Sequence, residues 1–336
     1  MRINALKAMV VSACAALALA SCVGCSTPAS TPSETEAAVV RVGTMPTEDI
    51  LPLWVAQDSN MAAADGTTVE VVPFDSAQAL SAAITAGEVD MAMTDIMRAA
   101  KLTESGTAVD LEWVTLGEMA SQGVFGILAP ADAPYSTLQE MAAYAADSAS
   151  ADLHGVGVGA NTVPEYVFNM LCAEADVTIP SEEVASLPER YGLVASGQLM
   201  GAALPAPLLA LGEANGMKVI ADDSQGSNIS QSVMVARAEW AAENEQAVLD
   251  VAEIWDGAVK LLTDDPEAYH DILVTNANLN ETIAESYPIS SYPNALSNGA
   301  LVHPSDTMVQ PVLDWMRSRG YGGAVSYDAA TGAMSL

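Results

Sequence analysis

Positive charge is the scarcest feature of this sequence. Its 336 residues hold 11 Lys and Arg against 43 Asp and Glu, a formal net charge of −32. Nucleic acid is excluded as a partner, because phosphate binding needs clustered basic side chains, and an anionic membrane surface would repel the chain. Cysteine is also sparse. Cys14, Cys22 and Cys25 crowd the N-terminus and Cys172 stands alone. That spacing offers no disulfide framework, and Cys172, on a helical stretch, reads as a buried inert thiol. The three histidines, His154, His270 and His303, are widely separated, and none adjoins a nucleophile motif; no G-x-S-x-G occurs. They supply neither a metal cluster nor a catalytic base, so no metal, cofactor or enzymatic activity is expected. The Gly-rich "GVGVGA" (155–160) lacks the G-x-G-x-x-G spacing and the acidic ribose partner of a dinucleotide site.

What the sequence has begins with its first residues. Arg2 and Lys7 precede "AMVVSACAALALAS" (8–21), an apolar run too short for an ordinary spanning helix. It closes on "LASC" (19–22), which resembles the lipobox of bacterial lipoproteins; the resemblance implies a signal peptide over 1–21 and acylation of Cys22, with Cys25 as the other possible acceptor. Residues 22–38, small, polar and Pro-containing, cannot bury enough apolar surface to offset their ordering entropy and read as a flexible tether. About 300 residues then remain, which suits two lobes.

From residue 39 strand-like and helix-like segments alternate. "VVRVGT" (39–44), "TVEVVPF" (68–74), "VDMAMT" (89–94) and "LEWVTLG" (111–117) read as strands. "DSAQALSAAITAG" (75–87) reads as a helix capped by Asp75 and stopped by Gly87. The order then repeats: "VGTMPTED" parallels "VGANTVPE", and "ITAGEVDMAMTD" (84–95) parallels "VASGQLMGAALP" (194–205). Such alternation predicts parallel α/β sheets flanked by helices. "GVFGILAPAD" (123–132) and "SQSVMVARAEW" (230–240) read as crossovers, giving lobe 1 as 39–128 with 230–336, and lobe 2 as 129–229. The remainder is helical, with Asp265 and Pro266 opening one helix, and should pack back on lobe 1.

"RVGTMPTEDILPLWVAQ", "VEVVPFDSAQALSAAITAGEVDMAMTD", "NTVPEYV", "SQSVMVAR" and "YPISSYP", in this order behind a lipobox, resemble the solute-binding lipoproteins of ABC importers. More narrowly, they resemble the branch carrying sulfonates, nitrate and thiamine pyrimidine precursors. The resemblance covers nearly all the chain after the signal segment. It implies a two-lobed α/β type II periplasmic-binding-protein fold with two crossover strands and a ligand cleft between the lobes. It further implies an extracytoplasmic, membrane-anchored monomer that hands a small solute to permease and ATPase subunits.

Helix starts at the carboxyl ends of strands present unpaired N–H groups and partial positive charge, where α/β sheets bind ligands. Pro52 and Pro164, tolerated only in a first turn, place two such starts. The candidate ligand residues are Thr44, Thr47, Glu48, Asp49, Asp75, Ser76, Thr94, Asp95, Glu118, Asn161, Thr162 and Glu165. Each also suits plain capping: Thr162 with Glu165 forms an S/T-x-x-E capping box, and Asp95 can cap the following helix. Trp54, Tyr166, Tyr191 and Tyr287 are stacking candidates for which ordinary packing is the better reading. No basic residue lies in these loops, and Glu48 and Asp95 would oppose an anion, so the residues favour a neutral or cationic, heteroaromatic or amine-bearing solute. A sulfonate or nitrate held by helix starts is the alternative. An enzyme of pyrimidine-precursor type on this fold and a surface sensor or adhesin are the readings from other classes.

Overall fold

The computed structural model describes residues 38–119, 122–147, 154–225 and 231–336. The signal segment, Cys22 and the tether up to residue 37 lie outside the described residues.

Two five-stranded sheets share one plan. In the first, β1 (Val39–Thr44), β2 (Thr68–Pro73), β3 (Met91–Asp95) and β4 (Val109–Leu116) are joined by β10 (Ser232–Arg237), in the order β2-β1-β3-β10-β4. The second contains β5 (Phe125–Ala129), β6 (His154–Val158), β7 (Ser181–Glu183), β8 (Leu199–Pro205) and β9 (Lys218–Asp222), in the order β7-β6-β8-β5-β9. Helices α1 (Leu51–Asp58), α2 (Ala77–Ala86) and α3 (Ile96–Glu104) connect strands of the first sheet; α4 (Leu138–Ala145), α5 (Val163–Glu174), α6 (Leu187–Ala195) and α7 (Ala206–Ala214) serve the second. The two expected parallels occupy equivalent places. β1 leads into α1 as β6 leads into α5, while α2 and α6 stop at Gly87 and Gly197, both in left-handed backbone at φ 70°, before β3 and β8. Those central strands are covered on both faces and accordingly read as continuous small or apolar runs.

The crossover strands are full members of the sheets they enter. β5 runs antiparallel to β8 and β9, and β10 antiparallel to β3 and β4. The chain therefore changes sheet before Phe125, earlier than the predicted boundary between 128 and 129, because "FGILA" takes its hydrogen bonds from β8 and β9. One cap also shifts. Ser76, not Asp75, caps α2 by accepting from Ala79 N–H at 3.2 Å, and Asp75 is exposed.

In the C-terminal third, α8 (Ala238–Glu243), α9 (Glu245–Asp264), α10 (His270–Asn276) and α12 (Asp306–Arg319) pack on the first-sheet side, while α11 (Glu281–Ala284) lies against α7. α9 lies along α1 and buries Trp255 completely, against Trp113 at 6.0 Å and Tyr292 at 6.2 Å between ring centroids. The Trp255 indole donates to Pro293 O at 2.9 Å, which satisfies its one polar atom. Asp265 provides no side-chain cap; Pro266 opens a 3-10 turn instead. The tail also does something unforeseen. Trp315 of α12 meets Tyr166 of α5 edge-on at 5.2 Å, so the C-terminal segment touches both lobes.

The Gly-rich β6 has a packing cause. A Cβ on Gly155 would stand 2.0 Å from Pro180 O, and one on Gly157 would stand 2.8 Å from the Arg190 side chain. Gly155→Ala should therefore cost about 1–3 kcal/mol through overpacking against backbone, lowering Tm by roughly 5 °C; thermal unfolding followed by circular dichroism measures it.

Candidate functional site

The carboxyl ends of the parallel strands in the first sheet gather Thr44, Asp95 and Leu116, and the antiparallel β10 begins at the same end, where Ser232 pairs with both Asp95 and Leu116. The 3-10 turn Glu48–Ile50 follows β1 and feeds α1, with Pro52 in the first turn as expected. This arrangement brings three carboxylates together from two loops.

Glu48 is only 5 % exposed. Its carboxylate accepts from Tyr287 OH at 2.9 Å and Ser290 Oγ at 3.4 Å, and its carbonyl accepts from Tyr292 OH at 2.9 Å. Burial, with Asp49 beside it, raises its pKa to about 7. Glu48 is thus turned into the protein, where it anchors the "YPISSYP" loop rather than facing a solute. Asp49 is partly exposed; burial raises its pKa, against hydrogen bonds from Ser232 and Thr47. Asp95 caps α3 through Oδ1, which accepts Arg98 N–H at 2.7 Å. Its pKa is raised by burial, with Asp49 adding to the rise and Arg98 opposing it. Among the described residues no ion pair reaches Glu48, Asp49 or Asp95. The first lobe therefore offers desolvated negative charge with Arg98 as its nearest compensation.

The remaining first-lobe candidates divide. Thr44 is fully buried and donates to Met45 O at 2.8 Å; Thr94 is nearly buried in β3. Thr47 is partly exposed at the N-cap of the 3-10 turn, without a side-chain cap bond. Asp75 and Ser76 follow edge strand β2, apart from the β1–β3–β10 centre. Glu118 is exposed and lines a separate cavity of about 130 Å³ with His303 and Pro293.

In the second lobe the loop from β6 to α5 carries Asn161 in left-handed backbone, φ 53°. That turn aims Asn161 N–H at Glu165 Oε2, 2.7 Å away, and leaves the Asn161 side-chain oxygen buried without a partner. The expected capping box does not form. The Thr162 hydroxyl instead donates to Gly159 O at 2.5 Å. The second oxygen of Glu165 accepts from Arg319 Nη2 at 3.0 Å, at the end of α12, and from Tyr321 OH at 2.9 Å, just beyond it. Glu165 is 2 % exposed, so it ties the two lobes together and is not open to a solute.

Four participants escaped sequence reasoning: Ser232, Arg190, Arg319 and Tyr321. Only Ser232, at the head of a return strand, had a readable signal. Three of the four aromatic candidates are taken up by packing or hydrogen bonding, and Tyr191 borders a cavity. Trp54 and Tyr166 are core residues, Tyr287 holds Glu48, and the Tyr191 hydroxyl accepts from Asn215 Nδ2 at 3.1 Å. The larger cavity, about 490 Å³, lies beyond the far end of β5, beside Tyr191, Gly197 and Met217. It holds none of the converging carboxylates. Among the described residues no cluster suits a metal ion, and no helix is long and apolar enough to cross a membrane.

The sequence matches the NMT1-like family over residues 33–275. Searching the curated proteins gives no match. Among solved structures, the fold is similar to the aliphatic sulphonate binding protein SsuA of Escherichia coli, with a TM-score of 0.66 and 13 % identity over 85 % of this chain and 89 % of that one. It is similar to the alkanesulfonate-binding protein SsuA of Xanthomonas axonopodis pv. citri bound to MOPS, with a TM-score of 0.64 and 16 % identity over 85 % and 94 %. It is also similar to the nitrate-binding protein NrtA of Synechocystis PCC 6803, with a TM-score of 0.65 and 15 % identity over 85 % and 82 %. These likenesses establish the periplasmic-binding-protein fold.

Two outcomes are expected. Glu48, facing Asp49, Tyr287, Ser290 and Tyr292, takes up a proton more readily folded than unfolded, so it withdraws stability as pH rises from 4.5 towards about 7. Glu48→Gln should accordingly gain ~1–3 kcal/mol at pH 8 and nothing at pH 4; Glu112, raised to about 8 by burial, leaves a residual slope of the same sign. Denaturant titrations across this range check it. Arg319→Met, by freeing Glu165, should speed amide exchange over residues 161–166 without changing the far-ultraviolet dichroism.

Proposed function

This chain belongs to the NMT1-like family, and from that membership we propose that it is the solute-binding component of an ABC importer. It acts outside the cytoplasm as a monomer, is held to the membrane through acylated Cys22, and hands its solute to permease and ATPase subunits. The solute is a small organic molecule bearing an amine or a cationic heteroaromatic ring, enclosed between the two lobes.

The observation that carries this reading is the pairing of Asp49 with Asp95 at the carboxyl ends of the first sheet. Both are desolvated, each disfavours the other's charge, and no ion pair reaches either among the described residues. A cation placed between them relieves both penalties at once, whereas an anion adds a third like charge in a medium where Coulomb terms are strong. Fold topology supports the location, because solutes sit beyond the carboxyl ends of strands in open α/β sheets. Neighbours in fold are named for binding sulfonates and nitrate, which favours the second reading, an anion carrier.

The test is a thermal-shift and calorimetric panel of amines, heteroaromatic cations, sulfonates and nitrate. A bound solute raises Tm by mass action. Amine-bearing or cationic compounds should shift Tm and bind more tightly at pH 8 than at pH 5. Asp49→Asn and Asp95→Asn should each weaken them by about tenfold or more, a loss of ~1.4 kcal/mol. Response to simple anions alone would replace this reading with the anion carrier. For the anchor, Cys22→Ser should move the protein from the membrane fraction to the soluble one.

A further inference from the structure

The chain crosses between the lobes twice, after β4 and after β9. The C-terminal tail adds a third link, which is not covalent. α12 packs on α3 of the first lobe, and residues 319–324 continue from its end as a short strap. The strap is fixed at its first-lobe end. Glu104 Oε1 of α3 accepts Ala324 N–H at 2.9 Å, and Arg317 of α12 donates to Gly323 O. Gly322 takes left-handed backbone at φ 105°, and a Cβ there would collide with the Glu104 carboxylate, so glycine lets the strap lie directly on α3.

The second-lobe end rests on one carboxylate. Glu165 of α5 takes three donors: Arg319 Nη2 at 3.0 Å and Tyr321 OH at 2.9 Å on Oε1, and Asn161 N–H at 2.7 Å on Oε2. Beside them Trp315 of α12 meets Tyr166 of α5 edge-on, and Tyr321 tilts against Trp315 at 5.6 Å. The Glu165 side chain is buried, whereas that of Arg319 is 42 % exposed. A buried charge is tolerated only while it is paired, yet an arginine that water reaches exchanges its partner for solvation at little cost. The contact is therefore two-state. Either the strap donors hold Glu165, or the lobes separate far enough for water to hydrate it.

The second lobe also meets the first on its other face. The crossovers from β6 to β7 and from β8 to β9 join parallel strands in opposite directions along the sheet, which places α5 and α7 on opposite faces. There α11 lies against α7, and Ala206, Ala210 and Leu211 pack on the first lobe's apolar core. Apolar contact is non-directional and tolerates a rolling shift; hydrogen bonds to one carboxylate do not. One flank suits a bearing and the other a catch. We propose that residues 319–324 are a latch between the lobes: while Arg319 and Tyr321 hold Glu165 the lobes stay together, and release of that carboxylate lets them part. On the solute-binding reading the tail then sets how often the cleft opens, but the latch itself needs no solute and its test uses none.

Small-angle X-ray scattering of the purified protein is the test. Combining Arg319→Met with Tyr321→Phe removes both strap donors and keeps the apolar parts of both side chains. The double variant should retain the parent's far-ultraviolet dichroism yet show a larger radius of gyration, with its distance distribution extended at the long end. A folded double variant that scatters like the parent would overturn the latch. Should the double variant unfold, hydrogen exchange in the parent decides between two buried indole N–H groups that both lack a partner, Trp315 at the seam and Trp113 inside the first lobe. A latch that lets go below global unfolding makes the Trp315 indole exchange about tenfold or more faster than that of Trp113. Equal rates would show that the seam opens only when the whole protein unfolds, and the latch would be discarded.

Discussion

Negative charge kept out of water at one end of a sheet is the constraint around which the first lobe is organised. Carboxylates can escape such a place by pairing, by protonation or by turning to solvent. Glu48 is fixed by Tyr287 and Ser290, and its own carbonyl is held by Tyr292. Tyr292 in turn packs on Trp255, whose indole grips Pro293. Pinned on its N-terminal side, the short turn holds Asp49 beside Ser232, while the cap of α3 holds Asp95. The core of the lobe thus prevents the relaxation that would disperse the charge.

Much of the architecture was legible because it is written in local signals. Gly87 and Gly197 end helices in left-handed backbone, Pro52 and Pro164 mark first turns, and buried central strands show as small, apolar runs. Those signals act within a few residues, which is also their limit. Thr162 and Glu165 have the spacing of a capping box, yet Glu165 finds Arg319 and Tyr321, over 150 positions away. Glu48 similarly finds Tyr287 and Ser290, some 240 positions on. Local patterns name a carboxylate's nearest partner; folding offers it better ones. Asp75 failed for a smaller reason, since Ser76 one residue later meets the helix with the right backbone.

Arg190 shows the opposite limit. Within its helix it carries no local signal of a role, and the glycines of "GVGVGA" fit no nucleotide motif. Together they are one feature: Gly157 and Gly159 lack side chains where Arg190 lies. A large buried side chain on one element and absent ones on another form a complementary pair, visible only when two strands and a helix are assembled.

Finally, the first sheet is finished by a strand that follows the whole of the second in the chain. β5 enters the second sheet only after four strands of the first have been laid down, and β10 wedges between β3 and β4 only after the second is complete. The first lobe is therefore not an autonomous unit of sequence, and no single cut yields two self-sufficient halves. A chain emerging N-terminus first lacks the strand that joins β3 to β4 until residue 237 has appeared, so its first-lobe site is completed last.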